Sequence, residues 1–71
     1  MTEQEILRAW RVTVSAGTKV KHKADRQIGL VLGVSSHPAY DFDVSFDDGI
    51  SPCYRHNLLP DWWPEPAIIS R

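Results

Sequence analysis

Apolar positions recur every three or four residues before residue 15 and every two from residue 18 onward. That change of period divides the chain into a helical opening and a body of strands. Ile6, Leu7, Trp10 and Val14 fall on one helical face. Thr2 followed by Glu5 has the spacing of a capping box, in which each side chain satisfies an orphan backbone N–H. The β-branched run Val12-Thr13-Val14 disfavours continuation, and Ala16-Gly17 breaks the element. The pattern predicts a short helix over about residues 3–12.

In "TKVKHK", Val20 and His22 take one strand face and Lys19, Lys21 and Lys23 the other. "ADRQ" is a polar turn. In "IGLVLGV", Ile28, Leu30, Leu32 and Val34 share a face, with Gly29, Val31 and Gly33 opposite. Glycines inside a strand mark tight coiling or the close approach of another backbone. "SSHPAY" reads as a loop, and "DFDVSFDDGISPCY" as a hairpin, because Asp-Gly follows an alternating run. A two-residue turn at Asp48-Gly49 would set Phe46 against Ser51. A three-residue turn, Asp47-Asp48-Gly49, sets Phe46 against Ile50, Val44 against Pro52 and Phe42 against Tyr54. The second keeps the apolar residues on one side and is the expected register. It also faces Arg55 to Asp41 as an exposed ion pair. Pro52 cannot donate to a ladder, which points to an edge strand or a bulge. "RHNLLP" suits one helical turn leading into a last short strand. The prolines of "DWWPEPAIISR" preclude a regular helix.

Four or five short strands in so few residues cannot form two packed sheets. The expected fold is therefore mainly β, a small barrel of about five antiparallel strands preceded by a short N-terminal helix. Residues 1–15 form the helix and connector, 16–60 the barrel and 61–71 a tail rich in Trp and Pro.

Composition narrows the class. With 42% hydrophobic and 24% charged residues, the chain reads as globular rather than disordered. Its single cysteine, Cys53, excludes an internal disulfide and makes a reducing, cytoplasmic setting the default expectation. No apolar run reaches the ~18 residues of a membrane span. The net charge of −1 conceals an asymmetry: six Lys/Arg against three Asp/Glu in residues 1–27, then two against six in 28–71. A polycation in the histone manner is excluded, so any role with nucleic acid must come from a local patch.

The run "G-T-K-V-K-H-K … I-G-L-V-L-G-V … F-D-V-S-F-D-D-G … N-L-L-P" resembles the SH3-like, Tudor-like small barrel over residues 16–60. It is similar to the Tudor-like tails of bacterial repair helicases and to the hemimethylated-DNA-binding heat-shock domain, with KOW and CarD-type modules as more distant relatives. The resemblance implies a non-catalytic binding module that acts on nucleic acid or on nucleic-acid-processing machinery such as RNA polymerase, without a cofactor. A self-associating barrel of a phage or mobile gene cassette is the alternative. The plasmid-borne drug-resistant dihydrofolate reductase is a barrel of similar size. Of its "V-Q-I-Y" only Tyr54 matches Ser51–Tyr54 here, and its ligand-binding lysine falls at His22. Reductase activity is not expected.

Candidate chemistry follows from these placements. Lys19, Lys21 and Lys23 lie ~6–7 Å apart along one strand face, and Arg26 extends the row. Together with Arg55 they are the expected contacts to a nucleic-acid backbone, against the plainer reading of a solvated strand. His56 adjoins Arg55 in the same loop. Tyr40, Phe42, Phe46 and Tyr54 suit an aromatic cage, although alternation assigns Phe42, Phe46 and Tyr54 to the core. Trp62 and Trp63 cannot easily both be buried in so small a domain, and they are the expected partner interface. His22, His37, His56 and Cys53 lack metal-site spacing, and His22 reads as a barrel-lining side chain. No phosphate-binding loop or nucleophile motif is present.

Overall fold

The computed structural model describes residues 2–64; Met1 and the tail from residue 65 lie outside the described residues. Helix α1 spans Glu3–Arg11. Thr2 caps it, its Oγ1 accepting from the Glu5 N–H at 3.2 Å. The Glu5 carboxylate in turn accepts from the Thr2 hydroxyl at 3.3 Å. At the other end Thr13 folds back, N–H and hydroxyl both donating to the Trp10 carbonyl. The β-branched run ends the helix as expected, and Val14 then drops into the core.

Five strands follow: β1 Lys19–His22, β2 Ile28–Val34, β3 Phe42–Phe46, β4 Gly49–Cys53 and, after a 3-10 turn at Arg55–Asn57, β5 Leu58–Pro60. They form one antiparallel sheet in the order β4-β3-β2-β1-β5. The chain meanders through four strands, and the fifth returns beside the first. Register between β2 and β3 shifts between Val31 and Gly33. Such an irregularity bends a strand and increases its twist.

Val14, Val20, Val31, Phe42, Val44, Cys53 and Leu58 make the core, with Trp10 and Phe46 packed against it. Strand β2 contributes its sparser face. Gly29 and Val31 turn inward, while Ile28, Leu30 and Leu32 stand 44–46% exposed. The reason is visible at Gly29: a Cβ there would lie 2.7 Å from side-chain carbons of both Phe46 and Val44. The glycine is the space those side chains fill.

The hairpin corrects the expected register. Phe46 faces Gly49, Val44 faces Ser51 and Phe42 faces Cys53, so Asp47-Asp48 form the turn. Both aspartates keep negative φ, whereas Gly49 takes φ +132°. Asp48-Gly49 therefore cannot be the centre of a type I′ turn, which needs positive φ at both residues. The shift buries Cys53 opposite Phe42 and leaves Ile50 and Tyr54 exposed, against the assignment of Tyr54 to the core. Burial pushes the Cys53 thiol up. The exposed Asp41–Arg55 ion pair does not form either. The Asp41 carboxylate accepts from the Arg55 backbone N–H at 2.7 Å, and the guanidinium goes elsewhere.

Candidate functional site

The two edges of the sheet are finished differently. Strand β4 carries Pro52, which cannot donate. Strand β5 is flanked by α1, whose Arg11 Nε donates to the Leu58 carbonyl at 3.1 Å. An arginine thus stands in for the missing neighbouring strand. Arg55, in the 3-10 turn, donates from its guanidinium to the Arg11 carbonyl at 2.7 Å. It supplies a cation where the α1 dipole is negative. The same guanidinium lies over the Phe42 ring, 5.0 Å from its centre. These bonds hold helix, edge strand and turn in one arrangement.

Between them lies an open groove of about 530 Å³ lined by Gln4, Leu7, Arg8, Arg11, Val12, Lys23, Arg55, His56 and Leu59. Its lining holds four cations and no carboxylate. Gln4, Leu7, Arg8 and Arg11 come from one helical face, since they are spaced by three and four residues. Lys23 enters from the end of β1, where its backbone N–H donates to the Asn57 carbonyl. Arg8, Lys23 and His56 are exposed, and Arg11 and Arg55 half-buried. Burial draws the Arg11 guanidinium below its ordinary value, yet arginine stays charged at neutral pH. Each guanidinium has five N–H donors, and the scaffold bonds leave most of them for a ligand. Clustered like charge repels itself, and an anion in the groove relieves that cost.

The expected lysine row is dispersed by the fold. Lys23 and Arg55 reach the groove. Lys19 is exposed at the opposite end of β1, across from Leu30. Lys21 is 8% exposed and faces Ile28 on one side and Leu59 on the other. Its Nζ donates to the Trp63 carbonyl at 2.7 Å, which corrects the expectation of an outward-facing lysine at that position. Arg26 is half-buried in the β1–β2 turn at φ +63°, its N–H donating to the His22 carbonyl. Arg8 and Arg11 escaped the sequence reading. Their signal was present in the helical wheel, where a basic stripe runs beside the apolar one.

An aromatic series leads to the groove. His37 meets Tyr40 edge-on at 5.1 Å between ring centres. Tyr40 and Tyr54 lie 4.6 Å apart with planes 34° from parallel. Tyr54 and His56 stack at 5.2 Å and 15°. Of the residues suited to a cage, Phe42 is buried and Phe46 packs on the core, so no four-ring cage assembles. His22 keeps its inward place, edge-on to Phe46 at 6.0 Å. Its Nδ1 accepts from the Ala24 N–H at 3.1 Å.

In the tail, Trp62 is 62% exposed and Trp63 half-buried, with ring centres 5.8 Å apart. Among the described residues no three His, Cys, Asp or Glu side chains gather to hold a metal, and no helix is long and apolar enough to cross a membrane. No family model, curated protein or solved structure matches this chain.

Proposed function

We propose that the protein is a non-catalytic module that grips the sugar-phosphate backbone of a nucleic acid in the groove between α1, the 3-10 turn and β5. The observation that carries this reading is the gathering of Arg8, Arg11, Lys23 and Arg55 around one groove whose lining has no carboxylate. Phosphate contacts position a nucleic acid without reading its sequence, and planar guanidiniums suit phosphate geometry. The strand order, with the last strand returning beside the first, supports the likeness to SH3-like barrels. Binding of labelled oligonucleotides, followed by fluorescence anisotropy across a salt series, tests the proposal. The expected slope of log K against log salt is roughly −3, from four cations at about −0.7 to −0.9 each. Undetectable binding of both single strands and duplexes at low salt would overturn it.

A second reading, self-association, rests on a different surface. Leu30, Ser45 and Ile50 are neighbours across three strands on the outer face of the sheet. Ile28, Leu30, Leu32 and Ile50 are all 44–64% exposed there. An exposed apolar row of this kind along β2, with Ile50 beyond Ser45, supports an interaction surface. Light scattering distinguishes the cases: a monomer at micromolar concentration removes this reading and leaves the groove untouched.

A further inference from the structure

We propose that His56, the groove end of the ring series His37–Tyr40–Tyr54–His56, offers its outer face as a stacking platform for an unpaired base, with Tyr54 and Tyr40 backing it, which makes single-stranded nucleic acid, rather than duplex, the ligand of the groove. This rests on the phosphate-binding reading and deepens it. The two features meet at one residue: His56 is both the last ring of the series and part of the groove lining. Arg55, between Tyr54 and His56 in the chain, directs its guanidinium to the Arg11 carbonyl in that groove. A strand whose phosphates follow the cations therefore passes with its bases beside the rings.

The platform is ordered before any ligand arrives. His37 Nδ1 accepts from the Ala39 N–H at 3.2 Å, and the Tyr40 N–H donates to the His37 carbonyl. The Arg55 N–H is held by Asp41, and the Asn57 N–H donates to the Tyr54 carbonyl. Both segments that carry the rings are thus pinned on either side of the stack. His37, Tyr54 and His56 are nonetheless exposed. Were these rings present only to fill the core, they would be buried as Phe42 is, at 4% exposure. Ordered, exposed rings beside a cationic track are the two parts from which sequence-tolerant single-strand sites are built. A duplex offers the phosphates but keeps its base faces stacked internally.

The test compares three ligands of about 12 nucleotides by anisotropy at low salt: a thymine single strand, an abasic strand with the same phosphates, and a duplex. The thymine strand is expected to bind roughly tenfold tighter than the other two. His56→Ala and Tyr54→Leu should each erase most of that advantage, while Tyr54→Phe keeps it and Arg8→Gln weakens all three ligands alike. Circular dichroism identifies any variant that fails to fold, and His56→Ala carries the test if Tyr54→Leu does so. Equal binding of the thymine and abasic strands overturns the platform and leaves the phosphate groove standing. Failure of all three ligands to bind overturns the groove reading, and this inference with it.

Discussion

Two sets of basic residues in this protein have opposite fates. Lys19, Lys21 and Lys23 alternate along one strand and look in the sequence like a single stripe, yet the sheet disperses them. One is exposed at the far end, one is buried against the Trp63 carbonyl, and one enters the groove. Arg8, Arg11, Lys23 and Arg55 are up to 47 residues apart in the chain and converge on one groove. A shared strand face sets direction, but what covers that face is decided by neighbouring strands and by the tail. At Lys21 those neighbours are Leu59, Ile28 and Trp63, and they turn a nominally wet position into a buried one.

The largest effect is expected on the groove itself. Arg8→Glu combined with Lys23→Glu places two carboxylates among the remaining cations, and oligonucleotide affinity should fall well beyond tenfold. Both side chains are exposed, so thermal stability should stay within ~0.5 kcal/mol of the parent. Unchanged affinity would move the binding surface elsewhere. Arg11→Ala joins the two roles. It leaves the Leu58 carbonyl without its side-chain donor, so stability should drop by about 1–3 kcal/mol and binding should weaken as well. In a domain this size, each lost kcal/mol lowers the melting temperature by roughly 4–8 °C.

Lys21→Met sharpens the comparison from the other side. The stem survives and the bond to Trp63 goes, so about 1 kcal/mol of stability is lost while oligonucleotide binding is unchanged. A loss of binding in this variant would return Lys21 to the interface. Lys19→Ala should alter stability by less than ~0.5 kcal/mol and leave binding as it was. A local acid titration checks the loop that carries His37 and Tyr40. The Ser35 hydroxyl, with Ser36, holds the Asp43 carboxyl below the usual carboxylate range. Its folded-state pKa is depressed, so its contribution is fully present above the ordinary aspartate value and is lost as pH falls through the folded value. The side-chain carboxyl NMR shift of Asp43 should accordingly move only below about pH 4.

Much of the fold was legible in residue order. Thr2 and Glu5 mark the helix start, the Val12–Val14 run its end, and alternation from Thr18 the strands. These are local effects, in which each residue's preference concerns neighbours within one turn or one pleat. The hairpin register misled because keeping every apolar residue on one side favoured a three-residue turn that included Gly49. The actual turn is one residue shorter, Asp47-Asp48, so that Cys53 pairs with Phe42 in the core and Tyr54 is released to the ring series. The candidate site was only partly legible. Lys23, Arg55 and His56 attract notice as basic residues near loops, whereas Arg8 and Arg11 read as the wet side of a helix.

The sequence by itself determined the helix, the number and approximate extent of the strands, and the inward turn of Val20, Phe42 and Val44. Short-range sterics and hydrophobic alternation suffice for those. Tertiary structure alone decided that β2 buries its glycine-bearing face, because only packing shows that Phe46 and Val44 need the space at Gly29. It also decided that α1 lies along the β5 edge, which turns separated cations into one groove. Charges gather according to which backbone ends need partners, and those ends exist only once the sheet has formed.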